Sequence, residues 1–269
     1  MASPETLDLD LERVERDAYA DMYRAAPEPV SSSLGLDCRA AADGVLLLCR
    51  GIDHIQFNRL AGFGLTQAAS VAQLDSAIRA FEQANLKNWI IPVPPFASDL
   101  RQLCVRRGLR PHARSWARFQ RDTSVRFDAQ TRLTVRPAKQ DEASAFGATA
   151  ARAFGLPAVV GTWLAALVGR PGWHCFLGLD GTEPAATGAL YVDGEFAWLG
   201  IGATLPEHRR SGGQSAILAA RIAKAAELGC RHLTTETGVP HPGEKGPSFA
   251  NIQRASFKIA YVRENFTAS

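Results

Sequence analysis

Apolar and polar positions recur along this chain with two different periods, and the second half shows both most clearly. Residues 131–137 put Leu133 and Val135 on one side, the two-residue period of a half-buried strand. From Asp141 the spacing becomes helical, with Ala143, Phe146, Ala150 and Phe154 on one stripe. Gly155-Leu156-Pro157 interrupts that stripe, and a helical pattern resumes over 158–168. Strands are predicted at 173–179, 185–192 and 196–204, separated by the turn signals Asp180-Gly181 and Asp193-Gly194. A loop at 205–211 leads into a helix with Ile217, Leu218, Ile222, Ala225 and Leu228 on one face, stopped by Gly229. A strand at 232–237, a loop at 240–247, a short helix at 248–256 and a strand at 258–262 complete this half.

The first half repeats the later part of that order with weaker punctuation. Strands are predicted at 45–49 and 55–60, and a helix at 71–85 carried by Val71, Leu74, Ile78 and Phe81. A buried strand at 89–93 and a helix at 97–107, ended by Gly108, follow. The chain of 269 residues thus reads as α/β (α+β, with mixed sheet) in two tandem domains, 1–125 and 131–269. A single larger α/β domain is the alternative.

Charge and cysteine usage narrow the function classes. The formal net charge is only +3, too small for bulk electrostatics to be the basis of binding nucleic acid or anionic lipid. Residues 1–130 carry sixteen charges of each sign and 131–269 fourteen positive against eleven negative, so an anion site should be local and in the second half. The run Arg101, Arg106, Arg107, Arg110, Arg114, Arg118 and Arg121, with Trp116 and Phe119 between, is expected to be a solvated helix and strand face rather than a nucleic-acid surface. Asp8, Asp10, Glu12 and Glu15 make the N-terminal segment acidic, unlike a targeting peptide. The uncharged stretch between Arg152 and Arg170 is short and broken by Gly and Pro, so no membrane span is expected. Cys38, Cys49, Cys104, Cys175 and Cys230 are scattered, with neither disulfide-framework nor zinc spacing. No metal and a cytoplasmic location are the expectation.

The most informative segment runs from Leu199 through Gly200, Gly202 and Thr204 to Arg209-Arg210-Ser211-Gly212-Gly213-Gln214-Ser215. A strand holding two glycines feeds a basic, glycine-bearing loop that opens into a helix. Loop N–H groups, the helix's positive end and two arginines then converge on one spot, an arrangement suited to phosphate or pyrophosphate. An ordinary strand–helix turn with solvated arginines is the competing account. A P-loop is excluded because Gly243-Glu244-Lys245-Gly246 has the wrong order, and Gly212-Gly213 lacks the third glycine of a dinucleotide fingerprint.

Arg209 to Gln214, followed by the helix, Gly229 and the strand with Glu236, resembles motif A of the GNAT superfamily of acyl-CoA-dependent acyltransferases. Gln214 departs from the family's small residue. Thr235-Glu236-Thr237, Asn251-Ile252-Gln253-Arg254-Ala255 before Phe257, and Phe57 to Gly64 in the first half resemble a tandem-GNAT group with a degenerate N-terminal half. The resemblance implies acetyl-CoA as co-substrate and a small-molecule primary amine as acceptor, attacked directly. It implies pantetheine on the backbone of Gly202, Ala203 and Thr204, and pyrophosphate and neighbouring groups at Arg209, Arg210, Ser211, Gly212, Gly213, Gln214, Ser215 and Asn251. The matching first-half loop, 64–70, has no arginine and should not hold CoA. Asn58 and Arg59 are expected to be a turn cap and a solvated charge, the alternative being that this half lends them to the cleft.

An amine acceptor must lose a proton before it attacks a thioester. Glu236, at the carboxyl end of its strand, is the leading base; Glu195 and His241 are weaker ones, and His174 reads as core. The N–H of Thr204 is expected to meet the oxyanion. Trp163, Leu164 and Leu167 could wall the acceptor side, His241 could contact the acceptor, and the resemblance puts Ile252 where the family carries an acidic tyrosine. Asn251, Ser248, Tyr261 or water must then protonate the thiolate, or the protein is a CoA-binding sensor or scaffold without catalysis. A monomer or homodimer is expected.

Overall fold

The computed structural model describes residues 4–268. The chain divides into two compact units that do not follow chain order: the first takes residues up to Arg24, Ser31–Arg118 and those from Ala260, the second Ala25–Val30 and Phe119–Ile259.

In the first unit, the acidic N-terminal segment forms a long helix, α1 (Pro4–Arg24). After α2 (Glu28–Leu34), β1 (Leu36–Ala41), β2 (Gly44–Cys49) and β3 (Arg59–Ala61) make an antiparallel three-stranded sheet. The strand predicted at 55–60 is therefore mostly turn. Asn58, fully buried, explains it: its side chain accepts from Cys49 N at 2.7 Å and donates to the Ile52 carbonyl at 2.9 Å, tying the backbone into a turn. α3 (Val71–Gln83) is opened by a capping box between Ser70 and Gln73. β4 (Ile91–Val93), α4 (Ser98–Arg106) and β5 (Arg110–Pro111) follow, then β6 (Trp116–Asp122), whose residues from Phe119 belong to the second unit. Leu46, Leu48, Leu74, Phe81, Trp89 and Phe266 are among the residues of this unit's core.

Two expectations for arginines fail here. Arg59 is not solvated: it is fully buried, with its guanidinium 4.3 Å from the centre of the Tyr19 ring and 4.6 Å from that of Trp116. Arg118 and Arg121 are buried too, so the basic run is a solvated face only in its earlier members. Arg118 bonds Glu15 through both terminal nitrogens, at 2.5 and 2.6 Å. Charges enter a core when partners distant in sequence neutralise them, which local spacing does not reveal.

In the second unit, β7 (Thr134–Pro137), β8 (Trp173–Asp180), β9 (Glu183–Asp193) and β10 (Phe196–Thr204) form an antiparallel meander. α7 (Gly213–Glu227) then returns the chain so that β11 (His232–Gly238) lies parallel to β10. The sheet is thus mixed. α5 (Ala143–Phe154) and α6 (Ala158–Ala165) approach closely: a Cβ on Gly147 would stand 2.0 Å from the Gly161 carbonyl oxygen. α8 (Pro247–Arg254) follows, and β12 (Lys258–Thr267) ends the chain, its residues from Ala260 belonging to the first unit. Among the described residues, no helix is long and apolar enough to cross a membrane.

Candidate functional site

β10 and β11 begin as neighbours and then part. Their register runs through Phe196–His232, Ala197–Leu233 and Trp198–Thr234 only, although β10 continues to Thr204 and β11 to Gly238. On its other side β10 stays paired with β9, but the register slips between Gly200 and Ala203, so that Ile201 and Gly202 together oppose one residue. Ile201 sits at φ 54°, an uncommon conformation for a β-branched residue. Leu205 N donates to the Ala185 carbonyl at 2.9 Å, toward β9. Backbone direction alternates along a strand, so the N–H of Thr204 faces the opposite edge, which β11 has left.

The loop beyond this edge is braced from within. A short 3-10 turn, Pro206–His208, is followed by Ser211, whose hydroxyl donates to the His208 carbonyl at 2.5 Å. Thr131 Oγ1 donates to the Ser211 carbonyl at 2.8 Å, and His208 Nδ1 lies 3.1 Å from an Asp180 carboxylate oxygen. Gly212 caps α7 at φ 79°, and a Cβ there would fall 2.3 Å from the Gln130 carbonyl oxygen. Only glycine fits that position. The first turn of α7, Gly213-Gln214-Ser215, then presents its free N–H groups to the loop.

α8 closes another side. Gln214 Nε2 donates to Ser248 Oγ at 3.2 Å, Asn251 donates to Gln214 Oε1, and Arg254 donates to Asn251 Oδ1. The side chain of Gln214 is therefore directed to α8, which accounts for a long residue at this point of the loop. Edge, loop, helix end and α8 enclose a cavity of about 970 Å³. It brings together Gly202, Ala203, Thr204, Arg209, Arg210, Gly212, Gly213, Gln214, Ser215 and Asn251. Ser211 lies among them in sequence, its hydroxyl turned to the loop's own backbone.

Other candidates lie elsewhere. Trp163 and Leu167 are fully buried and Leu164 nearly so; none lines this cavity, because the apolar residues of this segment form core. Glu236 is half-buried on β11, two residues past the last pair with β10, and is not part of the cavity wall. His241 is exposed in a loop, where its N–H donates to Glu244 Oε2 at 2.9 Å. Glu195 is an exposed turn residue, 3.3 Å from Arg231. Burial pushes the His174 pKa down. Tyr261 belongs to the first unit, where burial and Glu12 push its pKa up and its hydroxyl donates to Glu12 at 2.8 Å. It is no acid for this cavity. Among the described residues no cluster of His, Cys, Asp or Glu could hold a metal ion.

Several lining residues escaped sequence reasoning, among them Ala153, Phe154, Glu207 and Arg254. Ala153 and Phe154 end α5 at the cavity rim, with Phe154 exposed, and Arg254 adds a third guanidinium to Arg209 and Arg210. An aromatic at the very end of an apolar stripe, next to a Gly-Leu-Pro break, was the available signal for Phe154.

No family model matches the sequence, and no curated protein matches it. Solved structures do resemble it. A GCN5-related N-acetyltransferase (GNAT) from Kribbella flavida superposes with a TM-score of 0.61 at 17% identity, over 90% of this chain and 95% of that one. One from Sphaerobacter thermophilus gives 0.57 at 13% identity, over 86% and 75%. A tandem GNAT protein from the clavulanic acid biosynthesis pathway gives 0.54 at 14% identity, over 97% and 93%. The chain has the GNAT fold. At these identities the likeness is one of fold.

Proposed function

We propose that the protein is an acetyl-CoA-dependent N-acyltransferase that acetylates a primary amine of a small molecule, with its acyl-CoA site in the second unit. One observation carries this: the unpaired, bulged edge of β10 meets a basic glycine loop and the N-terminus of α7 in a single cavity. A strand edge suits the amides of a pantetheine arm, and the loop's N–H groups with Arg209 and Arg210 suit a pyrophosphate. The Thr204 N–H is then the donor for the thioester carbonyl, whose oxygen gains charge as the amine attacks. The C–N bond forms, the C–S bond breaks, and the acceptor's proton goes through water to Glu236, which stands on β11 outside the cavity wall. Ser248, on the cavity wall, or water returns a proton to the thiolate.

The first unit is proposed as a degenerate partner that holds no CoA. Its corresponding loop already carries an anion of its own: the Asp43 carboxylate accepts backbone N–H bonds from Gly64, Leu65, Thr66 and Gln67 at 2.6–3.1 Å. A second account, CoA binding without catalysis, is favoured by Ile252: it is buried, and no tyrosine lines the cavity. Release of free CoA thiol from acetyl-CoA with a panel of primary amines tests the proposal. Saturable CoA binding with no thiol release across the panel would favour the second account, and no binding would remove both.

A further inference from the structure

α7 carries an arginine on its apolar face. Arg221 lies at helical spacing from Ile217 and Ala225, and only 3% of it is exposed. Its Nη1 donates to the carbonyl oxygens of Ala189 at 3.1 Å and Gly200 at 2.9 Å, the last register-matched pair before the bulge in β10. Its Nε donates to the Ile217 carbonyl of its own helix at 3.3 Å. Two glycines make the slot it occupies. A Cβ on Gly188 would stand 3.0 Å from Arg221 Nε, and one on Gly202 would stand 3.2 Å from Nη2. Gly188 and Gly202 face each other across the bulge, so the guanidinium sits against the irregularity itself.

Among the described residues no carboxylate contacts this guanidinium, and desolvation brings its pKa down to about 9. It is still protonated at neutral pH. A buried cation held only by carbonyls costs stability relative to an apolar side chain of similar size. Packing alone therefore does not account for it.

We infer that Arg221 is a positioning residue for acyl transfer: it holds the bulge that turns the Gly202–Thr204 edge toward the cavity, and it sets a positive charge immediately behind that edge. The inference rests on the acyl-transfer proposal above. Bonding the Gly200 carbonyl polarises the peptide that follows it. A fixed charge buried behind the strand stabilises the oxygen of a tetrahedral intermediate more than it stabilises a neutral thioester. Its effect therefore belongs in kcat and not in the KM for acetyl-CoA, which the loop and its arginines govern.

Arg221→Met keeps the volume and removes charge and donors. The expected result is a melting temperature equal to or above that of the wild type, an acetyl-CoA KM changed little, and a kcat lowered by at least about tenfold, less than the roughly 10²–10³-fold lost with a donor that touches the oxyanion directly. Arg221→Lys, which keeps the charge, should recover part of the loss. A Met variant that turns over like the wild type overturns the inference, as does one in which kcat, KM and melting temperature worsen together. If the Met variant does not fold, Arg221→Lys against Arg221→Gln decides: the charged variant must be several-fold faster, and equal rates overturn the inference. A wild-type chain that neither binds acetyl-CoA nor releases thiol overturns the acyl-transfer proposal itself, and the role of Arg221 falls with it. A functioning wild type with an indifferent Arg221 removes this inference alone.

Discussion

Gly212 shows how one residue commits the loop. Its φ of 79° disfavours any side chain, and a Cβ there would collide with the Gln130 carbonyl, a backbone atom that cannot rotate away. Gly212→Ala should cost about 1–3 kcal/mol of stability and weaken CoA binding because the α7 end is displaced. Thermal unfolding and titration calorimetry check both, and an unchanged protein would mean the loop does not rely on this conformation. Glu236 is the riskier residue. It stands on β11 just where that strand leaves β10, and Glu236→Gln preserves its shape while removing basicity. Turnover should fall by roughly 10²–10⁴-fold with CoA affinity nearly unchanged. Retained turnover with a lower melting temperature would make it structural. The identity of both residues was legible in the sequence; the collision that makes Gly212 irreplaceable was not, since Gln130 meets it only through folding.

At the scale of elements, the two units treat their pre-helix loops differently. Ahead of α7, the N–H groups face a cavity with three arginines on its wall. Ahead of α3, they converge on Asp43, in the turn between β1 and β2. Burial raises the Asp43 pKa, but the N–H bonds from Thr66, Gly64 and Gln67 outweigh it and the net shift is downward. The carboxylate is thus anionic at neutral pH and does for this loop what a bound phosphate would do. Asp43→Ala should destabilise the chain by on the order of 1–3 kcal/mol, the range for losing bonds to a charged acceptor. Added inorganic phosphate should then raise the variant's melting temperature more than the wild type's. Equal responses would show that the loop does not hold an anion once its own is gone. The sequence showed a loop without arginine, which was enough to expect no CoA there. That it is already filled follows only from Asp43 being brought to it by the β1–β2 turn.

At the scale of the molecule, the two ends of the chain meet inside the first unit. Glu12 and Glu15 of α1 are buried with Arg118 and with Arg263, which lies 251 residues beyond Glu12. Burial by itself raises the Glu15 carboxyl, but the Arg118 and Arg263 guanidiniums outweigh it and bring the pKa from 4.5 to about 2. A carboxyl lowered on folding contributes stability above its unfolded pKa, and that contribution fades as pH falls from about 4.5 to about 2. Acid unfolding should therefore fall in that window. Glu15→Gln, which leaves buried arginines short of a partner, should cost about 3–5 kcal/mol at neutral pH and flatten the acid dependence. Urea unfolding at pH 7 and pH 3 measures both; a variant as stable as the wild type would mean that the cluster contributes little.

The sequence by itself determined the contiguous features. β10 begins and ends where alternation and the Asp193-Gly194 turn place it, and Arg209 to Ser215 form the loop before α7 because neighbours in the chain stay neighbours in space. Periodicity reports which side of an element is apolar, so it found the stripes of α3, α5 and α7. It does not report which charges will be buried, since that depends on partners brought by other elements. Arg59, Arg118 and Arg221 were for that reason invisible as core residues, although Arg221 lies on the same apolar face as Ile217 and Ala225. The tertiary structure also decided the parting of β10 and β11. A strand's own residues set its alternation, but whether its far edge is paired depends on a register slip against β9 and on where the next strand turns away, and the proposed site rests on that open edge.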